Sequence, residues 1–203
     1  IINLDITLEQ PAKAKIFLSN ILQSYSREVN VPSMFDTISK PALDRLVLAS
    51  GGVPRDFMVL GSLAIQVARE RSNAKTARVQ DVNEAAGRNA QPKLQELEDD
   101  AASSIGSANA SKEALTTLRS FLLDERQTTY FRVDFRDKEA HQKEYDLLQS
   151  LMDLRLIHLI NSSVSDERLA GHRSEVYMLD LSQFASSRFK RNLKVLDFQN
   201  DHL

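Results

Sequence analysis

The sequence has no cysteine and no tryptophan, six glycines, five prolines, and no apolar run near the roughly 20 residues that a membrane-crossing helix needs. Each absence removes a class of protein. Without cysteine there is no disulfide, no thiolate zinc site and no cysteine nucleophile, a composition that suits a reducing, cytoplasmic compartment. Neither sign of charge dominates: 26 Lys and Arg stand against 28 Asp and Glu, a formal net charge of −2. No global basic field therefore draws the chain to nucleic acid or to an acidic membrane. The opening residues IINLDITLEQ carry no positive charge ahead of an apolar stretch, so they do not read as a signal peptide. No G-x-x-x-x-G-K-[ST] phosphate loop occurs in the 203 residues, so these residues alone cannot hydrolyse ATP by the P-loop route. His141, His158, His172 and His202 lack metal-ligand spacing, and no Ser–His–Asp arrangement follows from the order of residues. His158, in an apolar run, reads as a satisfied core or edge histidine, and no metal site is expected.

What remains is a hydrophobic fraction of 42%, enough for a folded chain of one or two domains. The chain starts at Ile1 rather than Met and reads as a piece of something longer. Its first half is rich in Ala and Leu. A short strand is expected over 1–8, then a helix over about 11–28 with Phe17, Ile21, Leu22 and Tyr25 as its apolar side. A second helix is expected over about 38–50, with Leu43, Leu46 and Val47 on one face. A third begins at Pro54, with Phe57, Leu60, Leu63, Ala64 and Val67 as its stripe. A fourth starts near Val79, and Pro92 should kink it or open a new turn. The small, polar stretch 101–110 is the best linker. Beyond it the periodicity predicts a helix from Ser111 to about Glu125, a short strand over Thr128–Phe135 and a helix over about 137–154. Strands over Leu156–Ile160 and Glu175–Leu181 follow, joined by a polar turn. Helix, strand, helix and hairpin is the order of a winged helix with a two-stranded wing.

The most specific string is Ala49-Ser50-Gly51-Gly52-Val53-Pro54-Arg55-Asp56-Phe57. Two glycines permit a tight left-handed exit from one helix, and Pro54 opens the next with its φ preset. Arg55 then falls in a first helical turn. A cation is unfavourable there by about 0.3–1 kcal/mol against the helix dipole. A negatively charged partner such as a phosphate would supply the reason. The plain alternative is a surface arginine paired with Asp56 or another nearby carboxylate.

GGVPRDF in the middle of a four-helix unit resembles the sensor-2 corner in the lid of AAA+ P-loop ATPases, most closely the initiator-type, Orc/Cdc6-like members. The run Ala77–Ala86, with its Asp81-Val82 pair, is similar to the opening of that lid's last helix, and a winged helix after the lid matches the same arrangement. The resemblance implies a mainly α chain: a four-helix lid-like bundle over 1–100, a linker over 101–110 and an α+β winged-helix domain over 111–203. It implies that Arg55 is the sensor-2 arginine that touches the γ-phosphate of ATP, with Gly51, Gly52 and Pro54 shaping the corner. ATP and Mg²⁺ would be held by an upstream nucleotide-binding core of a parent ATPase, not by these residues. Relatives of this kind assemble into rings or filaments, which leaves a homo-oligomer open.

The partner of the second half stays open between protein and DNA. The helix expected over 137–154 offers Lys138, His141, Gln142 and Lys143, but also Asp137, Glu139, Glu144, Asp146 and Asp153. That acidic excess weakens a DNA-reading face and favours a protein partner. The hairpin turn sets Arg168, His172 and Arg173 against Asp166 and Glu167, and Arg188–Lys194 is a basic tail segment. The run Val176–Asp180 imitates a Walker B strand, yet without a phosphate loop it reads as an ordinary wing strand. The rival of a different class is a free-standing winged-helix regulator or adaptor that binds DNA or protein without ATP.

Overall fold

The computed structural model describes residues 8–95, 105–165 and 172–185. Expectations for 1–7, for the acidic run at 98–100, for Asp166–Arg168 and for the basic segment 188–194 lie outside the described residues. The described chain is mainly helical, with one small antiparallel sheet. None of its helices is long and apolar enough to cross a membrane.

Four helices form the first half: α1 (Pro11–Glu28), α2 (Lys40–Ala49), α3 (Pro54–Ser72) and α4 (Val79–Arg88). A further helical run over 90–95, α5, follows a break at Asn89. Pro92 therefore sits in a first turn, where its missing N–H costs nothing. Prolines also open α1, α2 and α3. The expected faces of α2, α3 and α4 are buried: Leu43, Leu46 and Val47; Phe57, Leu60, Ala64 and Val67; Val82, Ala85 and Ala86. In α1 the fully buried residues are Ala14, Leu18 and Ser26, and Phe17, Ile21 and Leu22 of the expected side pack against the core partly buried. Tyr25, in the last turns of the helix, is 53% exposed.

Two polar ties set how α2, α3 and α4 meet. Ser39 N donates to Ala77 O at 3.0 Å and Ala77 N to Thr37 O at 2.8 Å, joining the approaches to α2 and α4. Arg71, in the last turn of α3, grips Asp81 of α4 at 2.9 and 3.1 Å, and Asp81 Oδ2 accepts from Arg78 N at 2.8 Å. Burial opposes the Asp81 charge, but these donors outweigh it and hold the carboxyl below its ordinary range.

The second half begins earlier than the sequence implies. Helix α6 spans Ile105–Arg119 and runs on as a π-helical segment, Ser120–Arg126, ending at left-handed Gln127. The part of the expected linker over 105–110 is thus helical. Its Ala and Ser residues tolerate helix, and the helix is anchored further on by buried Leu115 and Leu122. Strand β1 (Tyr130–Asp134) follows, then α7 (Phe135–Ala140) and α8 (Gln142–Asp153). The single helix expected over 137–154 is two, broken at His141, whose backbone leaves the helical region (φ −126°, ψ 56°). Strands β2 (Ile157–Ser165) and β3 (Arg173–Leu179) form the hairpin.

The expected two-stranded wing is a three-stranded sheet of order β1-β3-β2. Strand β1 pairs with β3 in the register Phe131↔Tyr177 and Val133↔Glu175, so the hairpin's backbone edge on that side is paired rather than open. The Phe131 and Tyr177 rings stack at 5.5 Å. After β3, Asp180 leads into a 3₁₀ turn, Leu181–Gln183, that packs on α4 and α2. Buried residues from Leu8 to Phe184 make one continuous core across both halves.

Candidate functional site

The corner between α2 and α3 is built as its residues require. Gly51 and Gly52 are both left-handed, at φ +61° and +83°. Gly51 N donates to Leu48 O at 3.1 Å and Val53 N to Ser50 O at 3.0 Å, which closes the end of α2. Val53 is extended, Pro54 opens α3, and Phe57 N reaches back to Val53 O at 3.0 Å. The Phe57 ring is fully buried, which contributes about 1.5–3 kcal/mol and fixes the first turn of α3 against the core. Arg55 stands on that fixed turn and is exposed. Among the described residues no carboxylate meets its guanidinium. Asp56 does not pair with it; Asp56 turns inward and pairs with Arg155, 99 positions away, at 3.2 Å.

Beneath the corner lies a group of buried charges absent from the sequence-based candidates. Gly51 and Gly52 are buried, and the His158 ring of β2 lies against Gly51. A Cβ placed on Gly51 would stand 2.3 Å from the ring atoms Cε1 and Nδ1. Glycine is thus required here by its φ and by the approach of the ring. His158 Nε2 meets Asp180 Oδ2 at 2.7 Å, and Lys93 Nζ of α5 reaches the same oxygen at 3.0 Å. Asp180 Oδ1 accepts from Ser182 N at 3.1 Å and also from the Ser182 hydroxyl. Lys93 Nζ donates again, to the carbonyl oxygen of Arg155, at 3.1 Å. The contacts close a ring: corner, Asp56, Arg155, Lys93, Asp180, His158, corner.

The electrostatics of this ring are settled by its occupants. Burial alone would raise Asp180, but the Lys93 charge and the hydrogen bonds from His158 and Ser182 prevail and hold the carboxyl far below its ordinary range. An ionised carboxylate only accepts, so Nε2 is the protonated nitrogen of His158. Ser182 gives its hydroxyl proton to Asp180 and not to the histidine. Serine and histidine therefore share a carboxylate without forming a nucleophile–base pair, and Asp180 itself is 0% exposed. The group holds two halves of the chain together. Among the described residues there is no group of three or more His, Cys, Asp or Glu able to hold a metal ion.

A second carboxylate network lies between α7, α8 and the sheet. Glu175 receives Lys138 Nζ at 3.0 Å, Tyr145 OH at 3.0 Å and Tyr177 OH at 2.8 Å. Lys138 lies 4.3 Å from the centre of the Tyr145 ring. Burial raises Glu175, but the two hydroxyls and the ammonium outweigh it and lower its pKa, while burial beside that carboxylate pushes the Tyr177 phenol up. Lys138, one of the cations offered toward DNA, is thereby turned to the sheet. Gln142 donates to Asp146 at 2.8 Å. His172 meets Asp134 at 2.9 Å and also contacts Arg136. Lys143 and His141 remain exposed.

Of the expected site residues, then, Gly51, Gly52, Pro54 and Arg55 lie together at one rigid corner. Sequence reasoning missed Asp56, Lys93, Arg155 and Asp180. A usable signal existed for one: Asp180 ends an apolar strand, where a bare carboxylate is costly and demands a partner. No protein-family model, no curated protein and no solved structure matches the chain.

Proposed function

We propose that the chain is the lid and winged-helix region of an AAA+-like ATP-binding protein, and that Arg55 senses the nucleotide's phosphates for it. One observation carries the reading. Arg55 stands exposed in the first turn of α3, with no carboxylate on it among the described residues, while its neighbour Asp56 is paired inward. A cation kept free at a helix start, on a backbone fixed by Gly51, Gly52 and Pro54, is arranged for an anion that comes from outside. The four helices α1–α4 and the later order helix, strand, helices, hairpin support the same reading. ATP and Mg²⁺ would sit in a separate nucleotide-binding core, where the metal neutralises charge on the phosphates. Arg55 would reach the γ-phosphate from the lid. The buried ring would then carry a lid movement into the sheet-bearing half as a rigid displacement. That half would pass it to a protein partner rather than to DNA, because Lys138 is committed to Glu175 and the exposed face of α7 and α8 mixes both charges. A cytoplasmic location and assembly into rings or filaments belong to the same proposal.

The test is ATP turnover by the full reading frame. Arg55→Ala should lower it by about tenfold or more, the worth of one lost charge-assisted hydrogen bond in a transition state. Its melting temperature should stay at the wild-type value, because the side chain is exposed. Unchanged turnover defeats the proposal. The adaptor reading, favoured by the absence of a phosphate loop from these residues, predicts instead a partner held equally with and without ATP.

A further inference from the structure

Arg155 is where the second half reaches the corner. It lies in the turn between α8 and β2 with left-handed backbone, φ +56°, as the residue that closes α8: Arg155 N donates to Met152 O at 2.9 Å and Leu156 N to Leu151 O at 2.8 Å. Two contacts from the first half meet it there: Lys93 Nζ on its carbonyl oxygen at 3.1 Å and Asp56 Oδ1 on its Nη1 at 3.2 Å. Asp56 is 9% exposed, and its other carboxylate oxygen is buried with no hydrogen-bond partner among the described residues. Arg155 thus answers a carboxylate that would otherwise be buried and uncompensated. Such a group does not stay in place; it rotates toward water. Asp56 and Arg55 are consecutive in the first turn of α3, so where that turn shifts to bring the unpaired Asp56 to water, the backbone that carries Arg55 shifts with it.

We propose that Arg155 is a positioning residue for Arg55. By fixing Asp56 it sets the angle at which the Arg55 guanidinium leaves α3, and a displacement of the turn between α8 and β2 is thereby read at the phosphate-sensing corner. Whatever the sheet-bearing half binds can tune nucleotide sensing through this one contact. The inference rests on the proposed role of Arg55 and adds to it the route by which the second half regulates it.

The experiment compares ATP turnover by the full reading frame as wild type, R55A, R155M, R155K and R55A/R155M, with a thermal melt for each. Arg155→Met should reduce turnover roughly five- to tenfold, as expected when a catalytic group is misplaced without being removed. Arg155→Lys, which keeps the charge, should recover most of it. In the R55A background, Arg155→Met should cause no further loss, because it acts through Arg55. Equal proportional losses in both backgrounds, or no loss on Arg155→Met while R55A is impaired, overturns the positioning role and leaves the phosphate-sensing reading intact. No loss in R55A itself overturns both. Should R155M fail to fold, Asp56→Asn removes the buried charge while keeping the side chain's shape, and the same non-additivity with Arg55 is expected of it.

Discussion

Asp180 and Glu175 each hold a lysine, and their settings differ. Asp180 is fully buried, and its lysine, Lys93, has a side chain only 7% exposed. Glu175 keeps 11% of its side chain in water and its lysine, Lys138, keeps 34%. The first pair ties α5 to the end of β3 across the two halves; the second ties α7 to β3 within one half. Their chemistry is the same and their consequences are not. A partner removed from a sealed site leaves a charge with nowhere to go, whereas a partner removed near the surface is replaced by water. The deep pair therefore controls whether the halves stay together, and the shallow one trims the angle of α7 against the sheet.

The comparison breaks most sharply at Lys93. Lys93→Met should destabilise the chain by about 3–5 kcal/mol, the cost of orphaning a buried charge, with Asp180→Asn in the same chain recovering a large part; urea unfolding measures both. A loss under 1 kcal/mol would show that water reaches Asp180 freely. The acid limb of stability is the next discriminator. Asp180 is held below its unfolded value, so its contribution is fully present above about pH 4 and fades as the pH falls through the folded value. Asp180→Asn should flatten that limb relative to wild type, and an unchanged limb would mean that other carboxylates set it. The smallest effect is expected at Lys138. Lys138→Met should cost about 1.5 kcal/mol, the low end for one hydrogen bond to a charged group, because Glu175 retains two tyrosine hydroxyls. If Lys138→Met proved as damaging as Lys93→Met, the distinction by burial would be wrong.

Local chemistry was the legible part. The Gly51-Gly52 exit, the Pro54 start, the stripe Phe57–Val67 on α3 and the short strand near 130–134 follow from backbone preferences and periodicity that act within a few residues. The boundaries that failed were those with no local marker. His141 breaks a helix without proline or glycine. The helix α6 starts at Ile105 in a stretch of small polar residues whose propensity decides little by itself. Strand β1 was visible, but its place beside β3 was not, because pairing is set by partners 40 to 48 residues away.

The candidate site divides along the same line. The amino-acid sequence by itself determined that a rigid glycine corner would present an arginine at the start of a helix, since φ preferences and the ring of Pro54 require nothing from the rest of the chain. Only the tertiary structure decided that Asp56 would face inward to Arg155, that His158 would close on Gly51, and that Lys93 and Asp180 would neutralise one another under the corner. Those pairings join residues 87 to 107 positions apart. Charges at such separations are matched by packing, not by pattern.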